Sequence, residues 1–325
     1  MNVSIDRKRL CKELEMLSEI LTPQEVCYKL LSNHLDFYYI AHCPENIPPK
    51  ILQVCGESIK KSLRNIRTAV HTIDYLSDLL SKPDLEFVFI KTYRPLPYVP
   101  NDIDIFVREE DFPTLMKLLK ANKFRIVRRG AEIRCYREKM TRVDVYSSIV
   151  YAGIRFSIIE DLLLLTRVSV KFLGNHDIII PLPSLDALLL LLHDILGHKA
   201  INYIDYLYIK HFLLGNFNSD MPWIILNSTK AEINYIKKCL ALFLSKRKDV
   251  FNNIAEFPLQ IEPSLVFNII NDICLRKKIL YGSSLLVDHF LQLYNKYIYS
   301  IPAKLRNIVQ TVLFYHRLLV GDRHI

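Results

Sequence analysis

Apolar residues in the first eighty positions recur at helical spacing. Leu10, Leu14, Leu17 and Leu21 fall on one helical face. Thr22-Pro23 followed by Glu25 reads as a helix start, a threonine cap with proline in the first turn. Pro44, Pro48 and Pro49 interrupt the pattern, and a second helical stretch runs from Ile51 to Leu80, ahead of Lys82-Pro83. The period then shortens to two. Glu86–Thr92, Asp102–Val107, Phe124–Arg129, Glu132–Arg137 and Arg142–Ser147 read as strands. Phe112–Asn122 reads as a helix with Asp111 as its cap and Pro113 in its first turn. The prolines between Tyr93 and Pro100 mark a loop. From Ile158 onward the pattern is helical again: Ile158–Thr166, a break over Pro181–Pro183, then Ser184–Gly197 with a serine cap and a glycine stop. The aromatic C-terminal region (Phe290, Tyr294, Tyr297, Tyr299, Phe314, Tyr315) reads as a packed helical bundle.

This order predicts an α+β chain with a mixed sheet core between two helical regions. The expected divisions are an N-terminal helical region (1–82), a sheet core (83–182) and a C-terminal helical domain (183–325). The most apolar runs, Leu162–Leu165 and Ala187–Leu192, are broken by Asp161, Asp186, His193 and Asp194. They fall far short of the ~20 residues a membrane span needs, so they predict core helices and no membrane partner. The first residues hold no apolar signal core, and the expected location is the cytoplasm. Seven cysteines, an odd number without a CxxC pair, read as buried thiols rather than a disulfide framework or zinc knuckle. The net charge of +9 suits a protein that handles polyanions, although a soluble basic protein gives the same number.

The sharpest chemical feature is Asn101-Asp102-Ile103-Asp104-Ile105-Phe106-Val107. Alternate side chains of a strand share a face, so Asp102 and Asp104 point one way and Ile103 and Ile105 the other. Two carboxylates on one face repel unless a cation lies between them, and such hard oxygen ligands suit magnesium. Asp144, in Arg142-Val143-Asp144-Val145-Tyr146, supplies a third acid on another strand. Replacing Asp104 by Asn is expected to relieve repulsion in the metal-free protein. Lys91 and Arg94 precede the acidic strand and could hold phosphate as charges, with the Thr92 hydroxyl beside them. Seven basic residues (Arg125, Arg128, Arg129, Arg134, Arg137, Lys139, Arg142) read first as a solvated strand face, and second as a nucleic-acid track with Tyr136 and Tyr146 for stacking.

Over residues 85–210 these features resemble the DNA-polymerase-β-like nucleotidyltransferases, and within them the NTP transferase family 5 group. The resemblance rests on Phe87-Val88-Phe89-Ile90-Lys91, then Arg94, then Asp102-Ile103-Asp104, with a later strand bearing Asp144. His193, His198 and Asp205 look like that group's two-histidine helix and downstream aspartate. The resemblance implies a nucleotidyltransferase core and transfer of a nucleoside monophosphate from an NTP to an acceptor: RNA, protein or a small molecule. It implies Asp102, Asp104 and Asp144 as catalytic residues holding one or two Mg2+ ions, Asp144 also assisting deprotonation of the acceptor, and Lys91, Thr92 and Arg94 as nucleotide-binding residues. The family's glycine turn after the first strand is missing, for Lys91 is followed by Thr92-Tyr93-Arg94-Pro95. That departure favours, as an alternative, a non-catalytic nucleotide- or RNA-binding module with a decayed site. A toxin-like transferase acting on tRNA or protein is the other. On an α-helix His193 and His198 stand about 140° apart, so they are expected to be poor co-ligands and His193 to pack beside the site.

Overall fold

The computed structural model describes residues 7–36, 48–81, 85–94, 98–129, 132–151, 154–172, 176–214, 230–247 and 256–269. The expected C-terminal aromatic bundle lies outside these residues. The chain is a mixed α+β protein. Two helices, α1 (Arg7–Ile20) and α2 (Pro23–Ser32), precede the 33-residue α3 (Pro49–Ser81). Thr22 caps α2 as its sequence implies. Its hydroxyl accepts from the Glu25 amide while Glu25 receives the Thr22 N–H at 2.9 Å.

All five strands read from the alternation form one sheet: β1 (Phe87–Ile90), β2 (Asp102–Val107), β3 (Arg125–Arg129), β4 (Glu132–Tyr136) and β5 (Arg142–Tyr146). Their order is β1-β2-β5-β4-β3. β2 and β5 are parallel, and the other pairs are antiparallel. Helix α4 (Phe112–Ala121) connects β2 to β3. Asp111 precedes α4 but makes no side-chain cap, because its backbone is already helical (φ −84°, ψ −16°).

The strand period sorts the side chains onto two faces. Phe87, Phe89, Ile103, Ile105, Val143, Val145, Ile133 and Cys135 join a core with Ile73, Leu76 and Leu80 of α3 and Leu115 and Leu119 of α4. On the opposite face Val88, Ile90 and Phe106 meet α5 (Ser157–Leu165) and α6 (Pro183–Leu192). Every residue of α6 is buried, which fits its unbroken leucine run.

The helical reading of the chain after Ile158 needs correction. Val168–Phe172 and His176–Ile180 form an antiparallel hairpin, β8 and β9, after the short strands β6 (Val150–Tyr151) and β7 (Ile154–Arg155). Their apolar residues Phe172, Ile178 and Ile180 enter the core shared by α3 and α4. Ser184 does not cap α6, since Pro183 already occupies its first turn after Leu182. Nor does Gly197 stop it. The helix widens into a π-helical segment, His193–His198, and Lys199 ends it in the left-handed conformation (φ 57°). The chain continues through α7 (Tyr203–Ile209), α8 (Lys230–Arg247) and α9 (Pro263–Ile269).

The cysteine reading changes as well. Cys27 of α2 and Cys55 of α3 form a disulfide, with Cα atoms 5.6 Å apart. Helix packing brings together residues that no local motif pairs. Cys135 and Cys239 are buried free thiols. Among the described residues, no helix is long and apolar enough to cross a membrane.

Candidate active site

Strand register places the three aspartates. Asp104 stands opposite Asp144 across the parallel pair β2–β5, and Asp102 stands opposite Arg142. All three therefore share the face that carries Phe106, at the end of the sheet where helical cover gives way to a cavity of about 410 Å³. Asp102, Asp104, Lys91, Arg94, His193, Asp194, His198 and Asp205 line it. Asp144 shares the row but is not part of the lining.

The protein's own cations engage these carboxylates. Lys91 Nζ lies 3.2 Å from Asp104 Oδ2 and 4.8 Å from the centroid of the Tyr146 ring. Arg142 Nη2 donates to Asp144 Oδ2 at 2.9 Å and also pairs with Asp102. Burial raises the Asp104 pKa, Lys91 lowers it and Asp102 raises it again, leaving it at about 6. Burial opposes charge on Lys91, yet Asp104 and the nearby tyrosines outweigh it, and its pKa lies well above the ordinary value. The partners are thus pushed in opposite senses, Lys91 toward charge and Asp104 away from it. The 3.2 Å contact establishes the pair, and the extra burden on Asp104 comes from burial and Asp102.

The loop after β1 holds a left-handed residue without glycine. Lys91 itself takes φ 54°. Its N–H donates to buried Asp186 Oδ1 at 2.7 Å, and the Tyr208 hydroxyl donates to Asp186 Oδ2 at 3.0 Å. Arg94 Nη1 donates to the Lys91 carbonyl at 2.8 Å, while its Nε pairs with Asp205 at 2.6 Å. Tyr98 adds a hydroxyl donated to the Thr92 carbonyl at 2.7 Å. Side chains of this loop and of distant segments together over-determine the strained backbone. Thr92 does not face the cavity. It is buried, and its hydroxyl donates to the Ile90 carbonyl at 3.0 Å.

Opposite the acidic strands, the π-helical segment overturns the expected separation of the histidines. Its wider turn brings residues five apart onto one side, and the His193 and His198 rings meet edge-on with centroids 4.3 Å apart. His193 faces the cavity instead of only packing beside it. Burial and the Lys91 charge lower the pKa of both histidines, well below the usual value for His193, so both are neutral near pH 7. Among the described residues, His193 Nδ1 and Asp194 Oδ2 are buried with no hydrogen-bond partner. Burial, reinforced by Asp205, raises the Asp194 pKa well above the carboxylate range. The helical periodicity gave no sign of this arrangement.

Among the described residues, no group of three or more His, Cys, Asp or Glu side chains is spaced to hold a metal ion by itself. Asp102 and Asp104 still suit a hard divalent cation that also uses substrate oxygens, because both carboxylates lie on one strand face and line the cavity. The chain matches no protein-family profile and no curated protein.

Proposed function

We propose that the protein is a nucleotidyltransferase, which transfers a nucleoside monophosphate from an NTP to an acceptor. The observation that carries this reading is the in-register Asp104–Asp144 pair with Asp102 on the same face, beside a cavity that also presents Lys91 and Arg94. Magnesium held by Asp102 and Asp104, with Asp144 behind them, would neutralise phosphate charge and polarise the reacting phosphoryl group. Lys91 and Arg94 would bind the triphosphate as fixed cations. In the transfer, the acceptor oxygen bonds to the α-phosphorus, the bond to the bridging oxygen breaks, and pyrophosphate leaves. The acceptor's proton can pass to a neutral imidazole of the cavity wall, His193 or His198. Thr92 has no role here, since its hydroxyl is spent on the Ile90 carbonyl.

One specific observation supports a second reading, a non-catalytic nucleotide-binding module. Arg142 bridges Asp102 and Asp144 while Lys91 pairs with Asp104, so protein cations already serve the carboxylates. Incubation with each α-labelled NTP, magnesium and total RNA or protein separates the two. Transfer of label by wild type, reduced at least a hundredfold in Asp102→Asn, supports the enzyme. Binding of Mg-NTP without label transfer to any acceptor supports the module.

A further inference from the structure

The face that carries the aspartates does not end at the cavity. Register extends it across the sheet: Asp104 lies opposite Asp144, Asp144 opposite Arg134, and Arg134 opposite Val127 on β3. Two residues along, Asp102 lies opposite Arg142, and Tyr136 opposite Arg125. At about 4.8 Å per strand, the row from Asp104 to β3 spans about 14 Å. Across it the charge changes from acidic at β2 and β5 to basic at Arg134 on β4 and, two residues along, at Arg125 on the β3 edge.

The seven basic residues of the sequence are divided by this register. Arg137 belongs to the other face, its guanidinium 4.4 Å from the Tyr75 ring centroid and 5.7 Å from that of Phe124. Arg125, Arg134 and Arg142 belong to the site face. Arg125 is exposed and lies over the half-buried Tyr136 ring, 5.2 Å from its centroid. Among the described residues, none from β3 or β4 joins the hydrophobic core on this face.

We propose that this strip is the docking track for the acceptor, and that the acceptor is the end of a single-stranded polynucleotide. The assignment rests on the nucleotidyltransferase reading of the cavity and extends it to the acceptor's class. Charge complementarity identifies the occupant: Arg125 and Arg134, on the adjacent strands β3 and β4, suit successive phosphates, while Arg142 stays with Asp102 and Asp144. Tyr136, flanked by Arg125, offers a stacking surface for one base whatever its identity. A chain laid along the strip runs from the basic edge toward the carboxylates, which places its terminal hydroxyl at the cavity.

The test uses fluorescein-labelled single-stranded RNA and DNA of one mixed sequence, with a duplex control. Binding to the full chain is followed by fluorescence anisotropy without magnesium, over about 50–200 mM salt. Arg125→Ala and Tyr136→Ala should each weaken single-strand binding about tenfold, and Arg125→Ala should lower the salt slope by about one. Arg67→Ala, exposed on α3 behind the sheet, should leave both unchanged. The RNA and DNA arms show which sugar is preferred. Equal binding by all three variants, or no binding by wild type, overturns the track and leaves the β3 arginines as guards against edge-to-edge strand pairing. Label transfer to protein with no polynucleotide bound also overturns it, while keeping the transferase. Polynucleotide bound along the strip without transfer to any acceptor rejects the transferase instead.

Discussion

At Lys91 a left-handed backbone and a buried ammonium fall on the same residue. The conformation aims the side chain at Asp104 and fixes the carbonyl that accepts from Arg94 and Tyr98. The pair reverses an expectation drawn from carboxylate repulsion alone. An amide at position 104 would relieve Asp102, but it would strand Lys91, whose side chain is 4% exposed. Removing one partner of a buried pair costs more than the pair contributes. Asp104→Asn should therefore lower metal-free stability by about 3 kcal/mol in urea unfolding. Lys91→Met combined with Asp104→Asn should recover most of that loss, because no unpaired charge remains. A single variant as stable as wild type would show that the ammonium reaches solvent.

At the scale of elements, two features depend on how helices pack. Residues His193–His198 continue α6 with a wider turn, and this brings edge-on two rings that an α-helix would hold apart. The disulfide joins α2 to α3 across a separation of 28 residues. Ser32 and His34, at and just beyond the end of α2, line the cavity, so the link braces one of its walls. Loop-closure entropy assigns it roughly 3–4 kcal/mol. Dithiothreitol should lower the unfolding midpoint of wild type, and Cys27→Ser should have a lower midpoint than wild type and a smaller response to reductant. A midpoint unaffected by either treatment would remove the disulfide as a source of stability.

In the molecule as a whole, Asp186 ties the two halves of the site. Its carboxylate accepts the Lys91 N–H, 95 residues away, and the Tyr208 hydroxyl. Burial raises its pKa, with the Arg94 charge and the Lys91 N–H acting against that rise. Asp186→Ala should lose about 3 kcal/mol of stability by leaving the Lys91 amide unsatisfied. It should also weaken Mg-ATP binding, although Asp186 does not line the cavity. Asp186→Asn keeps an oxygen acceptor and should retain most of both properties. Equal losses in the two variants by thermal melts and calorimetric titration would show that the charge, not the hydrogen bond, positions the loop.

Local period was enough to read the five strands of the sheet, the Thr22 cap and the shared face of Asp102 and Asp104, because each follows from backbone geometry over a few residues. It also put Asp144 on a strand, though not in register with Asp104. The β8–β9 hairpin was missed because its apolar residues serve a core formed by α3, α4 and the sheet, and helix and strand readings of such short runs differ little. The left-handed turn at Lys91 was hidden because Asp186, which accepts its N–H, and Tyr208, which holds Asp186, come from other segments. The ion pairs of Arg142 and Lys91 and the Cys27–Cys55 link were likewise settled by tertiary structure. Each depends on the distance between distant segments, which the alternation of apolar and polar residues does not encode.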